Sequence, residues 1–157
     1  MSFVFNADEI FEMALQIERN GENFYRNSAS KFKDSEARDL LARLADMEIE
    51  HQKIFRGMKS ALTAADRKAM TYDPNNEAGL YLASLANTKV FFEKDIDTSK
   101  IEGIYKSALA AEKDSIAFYL GMKDLVPSGG REKIEDIIKE EMRHIRILGE
   151  RLAALKK

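Results

Sequence analysis

Two nine-residue stretches decide how this chain reads: Met47–Glu48–Ile49–Glu50–His51–Gln52–Lys53–Ile54–Phe55 and Glu140–Glu141–Met142–Arg143–His144–Ile145–Arg146–Ile147–Leu148. In one register they place Glu48 over Glu141 and His51 over His144. The chain has 2 histidines, and each stands three residues after a glutamate. Residues three apart on a helix project to one side, so each stretch offers a carboxylate and an imidazole together. A second pair of segments lies upstream at nearly the same offset. ALQIERNGENFY (Ala14–Tyr25) and ALAAEKDSIAFY (Ala108–Tyr119) agree in Ala, Leu, Glu, Phe and Tyr, which sets Glu18 over Glu112 and Tyr25 over Tyr119. The chain is internally duplicated, and each half reads as a helical hairpin.

The surrounding pattern predicts helices. Asn6 followed by Glu9 is a capping box with Asn in the usual Ser or Thr position. From it runs a small or apolar stripe of Ile10, Ala14, Ile17, Gly21, Phe24 and Ser28, so the first helix is expected over about 7–32. Asp34 or Ser35 caps a second helix, about 35–61, whose inner face carries Leu40, Leu41, Leu44, Met47, Phe55 and Met58. A crossover, 62–98, contains the breaker Asp73–Pro74–Asn75–Asn76 and one short helix over 77–87. Thr98 or Ser99 caps a third long helix, about 100–125, which Val126–Pro127–Ser128–Gly129–Gly130 ends. The fourth spans about 131–155. An all-α bundle of two hairpins, forming one domain over 1–157, is the expectation.

Composition narrows the partners. The 157 residues carry Lys+Arg 25 against Asp+Glu 27, a net charge of -2, with no block of like charge, so a general nucleic-acid or membrane surface is not expected. Cys 0 excludes disulfides, thiolate zinc sites, iron–sulfur centres and cysteine nucleophiles. No apolar run reaches membrane-spanning length, and MSFVFNADEI is too short and too acidic for a secretory signal, so a soluble cytoplasmic protein is expected.

Glu18 and Glu112 sit on faces that the neighbouring Ala, Leu and Tyr residues mark as buried. With Glu48 and Glu141 they bring four carboxylates to the middle of one bundle. Unpartnered, such groups lose hydration and repel one another. Two divalent cations balance the four charges, and the two neutral imidazoles complete the donor set. One Glu from each of two helices and Glu-x-x-His from each of the other two is the ligand pattern of dinuclear carboxylate bundles. Oxygen donors with two imidazoles suit Fe or Mn, admit Zn, and disfavour Cu. Glu22, Glu50 and Glu140 read as solvent-edge or locally bonded side chains, and the Met and Phe stripes as core.

On these motifs the chain resembles the ferritin-like superfamily, and within it the di-iron domain of rubrerythrins, across nearly all four long helices. The resemblance implies metal ligands Glu18, Glu48, His51, Glu112, Glu141 and His144, with Glu48 and Glu141 bridging two Fe ions. It places Tyr25 and Tyr119 beside the cluster, although core aromatics with one satisfied hydroxyl account for them equally well. Two departures stand out. Rubrerythrins usually add a rubredoxin-like domain with four cysteines, and this chain has none. They also carry a further glutamate one turn after the third-helix ligand, where this chain has Ser115.

The resemblance implies an oxidoreductase that reduces hydrogen peroxide or dioxygen to water in oxidative-stress defence, re-reduced by an external donor such as a rubredoxin or a flavoprotein. Iron handling by ferroxidation is the main alternative, although no fifth helix for a storage cage follows the fourth. A metal-stabilised helical module without turnover, or an oxygenase, are the others. A homodimer is expected from the family and from the apolar segment 79–92, which could equally cap its own bundle.

Overall fold

In the computed structural model the described residues are 5–33, 35–68, 77–87 and 100–156, and among them all regular structure is helical. Four long helices dominate: α1 (Ala7–Ala29), α2 (Ser35–Ser60), α5 (Ile101–Met122) and α6 (Arg131–Ala154). Between the pairs lie α3 (Ala64–Lys68) and α4 (Glu77–Asn87), the latter spanning the expected short helix. Much of the rest of the crossover, with Asp73–Pro74–Asn75–Asn76, lies outside the described residues, as do Asp34, Thr98 and Ser99.

Local chemistry sets the ends. The Asn6 side chain accepts from the Glu9 backbone N–H at 2.8 Å, so Asn6 caps the helix as expected. The return contact runs from its side-chain amide to the Glu9 carboxylate, in place of the backbone N–H of a full capping box. α1 stops three residues short of the expected end. There the Lys31 and Phe32 amides turn back to Ser28 and Ala29, tightening the last turn, and the Ser30 hydroxyl takes the Asn27 carbonyl. α5 begins after Lys100, whose side chain makes no cap bond, and ends at Met122, where Leu125 N–H folds back onto the Met122 carbonyl. A 3-10 turn over Ser128–Gly130 then feeds α6. The short α3 is an addition to the sequence reading. Thr63 and Asp66 cap it reciprocally, backbone to side chain, at 2.9 and 3.0 Å.

α1 packs on α2 and α5 on α6, and the ring closes through α1 on α5 and α2 on α6, while α4 lies against α5. The interior is divided. One apolar cluster gathers Ile10, Phe11, Phe55, Phe118, Met122 and Ile137, and the other gathers Leu40, Leu41, Leu44, Ile104, Ala108 and Leu148. On every long helix a polar stretch separates the two: Glu18, Glu48 with His51, Glu112, and Glu141 with His144, all buried. The buried face of α1 takes in Ile10, Ala14, Ile17 and Ser28 as expected and widens to Phe11, Leu15, Glu18 and Tyr25, while Gly21 and Phe24 are half-buried at its edge. Leu82 and Leu85 of α4 pack onto the first cluster, so part of the apolar 79–92 segment caps its own bundle. Residues 88–92 of that segment lie outside the described residues.

Candidate metal centre

Each long helix delivers its acid from near its midpoint, and the six side chains read from the sequence converge between the two apolar clusters. Two overlapping donor sets result: Glu18, Glu48, His51 and Glu141 form one, and Glu48, Glu112, Glu141 and His144 the other. Within each set the donor atoms lie within 4.8 Å of one another. Glu48 and Glu141 belong to both.

Glu141 shows the sharing most directly. Its Oε1 stands 3.2 Å from His51 Nδ1, and its Oε2 stands 2.9 Å from His144 Nδ1. His51 Nδ1 also faces Glu18 Oε2 at 3.4 Å, and His144 Nδ1 faces Glu112 Oε1 at 3.2 Å. The two imidazoles lie nearly parallel with ring centres 6.0 Å apart. Both therefore aim Nδ1 inward and Nε2 outward.

Proximity here is not satisfaction. Glu18 Oε2, His51 Nδ1 and Glu141 Oε2 are buried and lack a hydrogen-bond partner among the described residues. Three orphaned donor atoms on neighbouring side chains cost free energy unless something else meets them. Metal–oxygen and metal–nitrogen bonds near ~2.1 Å put ligand atoms within about 4.2 Å of one another across one cation, close to the spacing found. Hard oxygens with two imidazoles suit a divalent first-row metal. The residues fit a pair of such ions.

Without metal, protons balance the charge. Burial first, then the neighbouring acids, pushes Glu48 well above the ordinary carboxyl value, and burial followed by Glu141 does the same to Glu112. Burial also works against charge on His51, yet Glu141 and Glu18 raise it to about 12; on His144, Glu112 and Glu141 overcome burial to reach about 10. Glu141, buried but facing both imidazoliums, stays ionised well below the usual range. Protons thus occupy the role that cations take when metal binds.

The tyrosines cross over. Tyr25 on α1 donates to Glu112 Oε1 on α5 at 2.6 Å, and Tyr119 on α5 donates to Glu18 Oε1 on α1. Phe24 packs edge-on against Tyr25, while Phe55 and Phe118 flank Tyr119, fixing both rings. Burial and the adjacent carboxylates raise both phenols well above their ordinary value, so they remain protonated donors.

Four residues take roles that the sequence reading did not assign. Glu140, read as a solvent residue, accepts at 2.6 Å from His51 Nε2 while its own side chain stays 40% exposed. At the equivalent place in the other half, Met47 puts its sulfur 3.3 Å from His144 Nε2. Gln52, buried, donates to Glu22 at 2.8 Å and accepts from Arg56, so Glu22 is a local partner and lies outside both donor sets. Gly21 supplies room: a Cβ there would stand 2.9 Å from Glu48 Oε2. Ser115 bonds its own helix at the Ala111 carbonyl, and Glu50 pairs with Lys53 in solvent.

Among the described residues no helix is long and apolar enough to cross a membrane. No curated protein matches the sequence. A crystal structure from Thermotoga maritima, described as a ferritin-like diiron-carboxylate protein, matches with a TM-score of 0.70 and 25% identity over 96% of each chain. The rubrerythrin family model matches residues 9–152, almost the whole span from the first helix to the last. With that coverage, and with paired Glu-x-x-His helices around a buried carboxylate layer, the chain belongs to the rubrerythrin family.

Proposed function

We propose that the protein is a di-iron oxidoreductase that reduces hydrogen peroxide, or dioxygen, to water with electrons from an external donor. The observation that carries the reading is the pair of buried donor sets sharing Glu48 and Glu141. In this reading Glu18, Glu48, His51, Glu112, Glu141 and His144 hold the metals. When bound, two ferrous ions supply the two electrons that convert H₂O₂ and two protons into two waters, and they polarise both oxygens as Lewis acids.

The chain's own residues do the rest. Glu141 turns one oxygen to each histidine, which keeps the two positions together. Tyr25 and Tyr119 hold Glu112 and Glu18 in place and keep a phenolic proton beside each, ready for delivery to a reacting oxygen. The apolar clusters above and below exclude bulk water. In this reading electrons return to the site from another protein, a rubredoxin or a flavoprotein. The homodimer belongs to this reading, supported by Leu80 and Tyr81, which stay 45% and 41% exposed on α4; a solution mass of twice 17.9 kDa tests it.

The test is anaerobic loading with Fe²⁺ followed by stopped-flow mixing with H₂O₂. Oxidation of two irons per peroxide, much faster than free Fe²⁺, is the expected result. Oxidation no faster than in buffer removes the reaction, and continued uptake of ferric iron beyond two per chain points instead to iron handling.

A further inference from the structure

We propose that Glu140 and Met47 make the two metal positions unequal, so that the position served by His51 binds a divalent cation more tightly and fills first. The proposal rests on the dinuclear ligand reading above, though not on the reaction. The sequence duplication sets Met47 over Glu140, and the fold carries that correspondence into space: each side chain stands directly behind one histidine, on the Nε2 side.

What stands there differs in kind. Behind His51 is a carboxylate oxygen at 2.6 Å, short enough for a charge-assisted bond from an N–H. Behind His144 is a thioether sulfur at 3.3 Å, a weak acceptor. A carboxylate on the outer nitrogen fixes which nitrogen keeps the proton, holds the ring's direction, and raises the basicity of the inner nitrogen as a ligand. His51 receives all three effects and His144 little of any. Losing such a partner typically lowers metal affinity by about 10–100-fold, so an asymmetry of that order is expected between the halves. Partial exposure of Glu140 weakens its pull through screening and places it toward the lower end of that range. Glu140 is thus a positioning residue, acting on the metal through His51.

The test titrates the full-length, chelator-stripped chain with Co²⁺ under anaerobic conditions, following the visible ligand-field bands and the heat of binding. Unmutated protein is expected to take up two ions in two steps separated by about 10–100-fold. Glu140→Met, which gives both halves a thioether, should weaken the first step by that factor and leave the second unchanged, the unchanged step reporting an intact fold. Met47→Glu, which gives both halves a carboxylate, should strengthen the second step and draw it toward the first. Because this second variant gains affinity, misfolding cannot imitate it. Two indistinguishable steps in the unmutated chain, equal weakening of both by Glu140→Met, or an unimproved second step in Met47→Glu overturns the proposal while leaving the ligand assignment standing. Failure to bind Co²⁺ at all overturns both. Two unequal steps in a protein that does not react with peroxide support the proposal and remove only the reaction.

Discussion

Tyr25 on α1 donates its hydroxyl to Glu112 on α5 at 2.6 Å, and Tyr119 returns the same bond in the opposite sense to Glu18. Each hairpin thereby steadies the single carboxylate of the other. Replacing Tyr25 by Phe leaves Glu112 Oε1 without this donor, at a cost of about 1–3 kcal/mol in the metal-free protein. Two irons should still bind, while the reaction with peroxide slows by about 10²-fold or more if the phenol is the proton source. Melting curves, metal analysis and stopped-flow rates separate the three effects; loss of iron in place of loss of rate would make the tyrosine a purely structural clamp.

The sharing of Glu48 and Glu141 predicts a stoichiometric pattern. Glu48→Ala and Glu141→Ala remove a donor from both sets and should leave close to no bound metal. Glu18→Ala, Glu112→Ala, His51→Ala and His144→Ala remove a donor from one set and should retain one ion. Elemental analysis of desalted protein reads this directly, and one uniform loss across all six variants would contradict two overlapping sites.

Gly21→Ala offers a change whose two effects oppose. An alanine in a helix interior gains about 0.8–1 kcal/mol over glycine, so the metal-free protein should melt slightly higher. The new methyl stands 2.9 Å from Glu48 Oε2, the far end of a flexible side chain, which must move aside and give up its place in both donor sets. Raised apo stability with lowered metal affinity is the expected pairing; unchanged affinity would show that Glu48 tolerates the shift.

The pH dependence has a definite sign. His51 and His144 titrate in the metal-free fold near 12 and 10 against an ordinary value of 6.5, so the stability they lend is complete below 6.5 and drains away as pH rises toward those values. Glu48 and Glu112, raised above 4.5, act in the same direction from lower pH upward, while Glu141, lowered, loses its contribution only as pH falls below 4.5. The metal-free protein should therefore be most stable near pH 5 and weaken toward pH 8. Metal binding displaces protons and strengthens over the same interval. The gap in melting temperature between loaded and stripped protein should widen from pH 6 to pH 8, reaching several degrees at a metal excess worth about 2.7 kcal/mol per site. A gap that narrows would mean that protons are not what the metals replace.

How far the sequence discloses this site depends on whether a residue's role is written along one helix or between two. Glu48 with His51, and Glu141 with His144, are intrahelical relations, and three-residue spacing plus duplication is enough to find them. The long helices follow from apolar periodicity, and their ends differ by a few residues because i-to-i+3 turns at Lys31 and Leu125 depend on local backbone closure. Glu140 lies one residue from a ligand on its own helix, so a helical wheel turns it away; only the approach of α2 brings His51 Nε2 onto it. The alignment of Met47 with Glu140 was the available signal. Gly21 is likewise invisible to periodicity, since its function is the volume it leaves free for a side chain from α2. The reciprocal cap at Thr63 and Asp66 was readable as a Thr-x-x-Asp motif, obscured by the five-residue length of the helix it starts.

The polar stratum between the two apolar clusters gives the bundle a waist. Most helical proteins loosen from their ends, because terminal turns have the fewest partners. Here the ends of the rods are gripped by oily packing, and the span between them is held by charge balance and the two crossed tyrosine bonds. Stripping the cations should therefore soften this molecule from the inside out, with amide exchange accelerating first around mid-helix positions while both extremities stay protected.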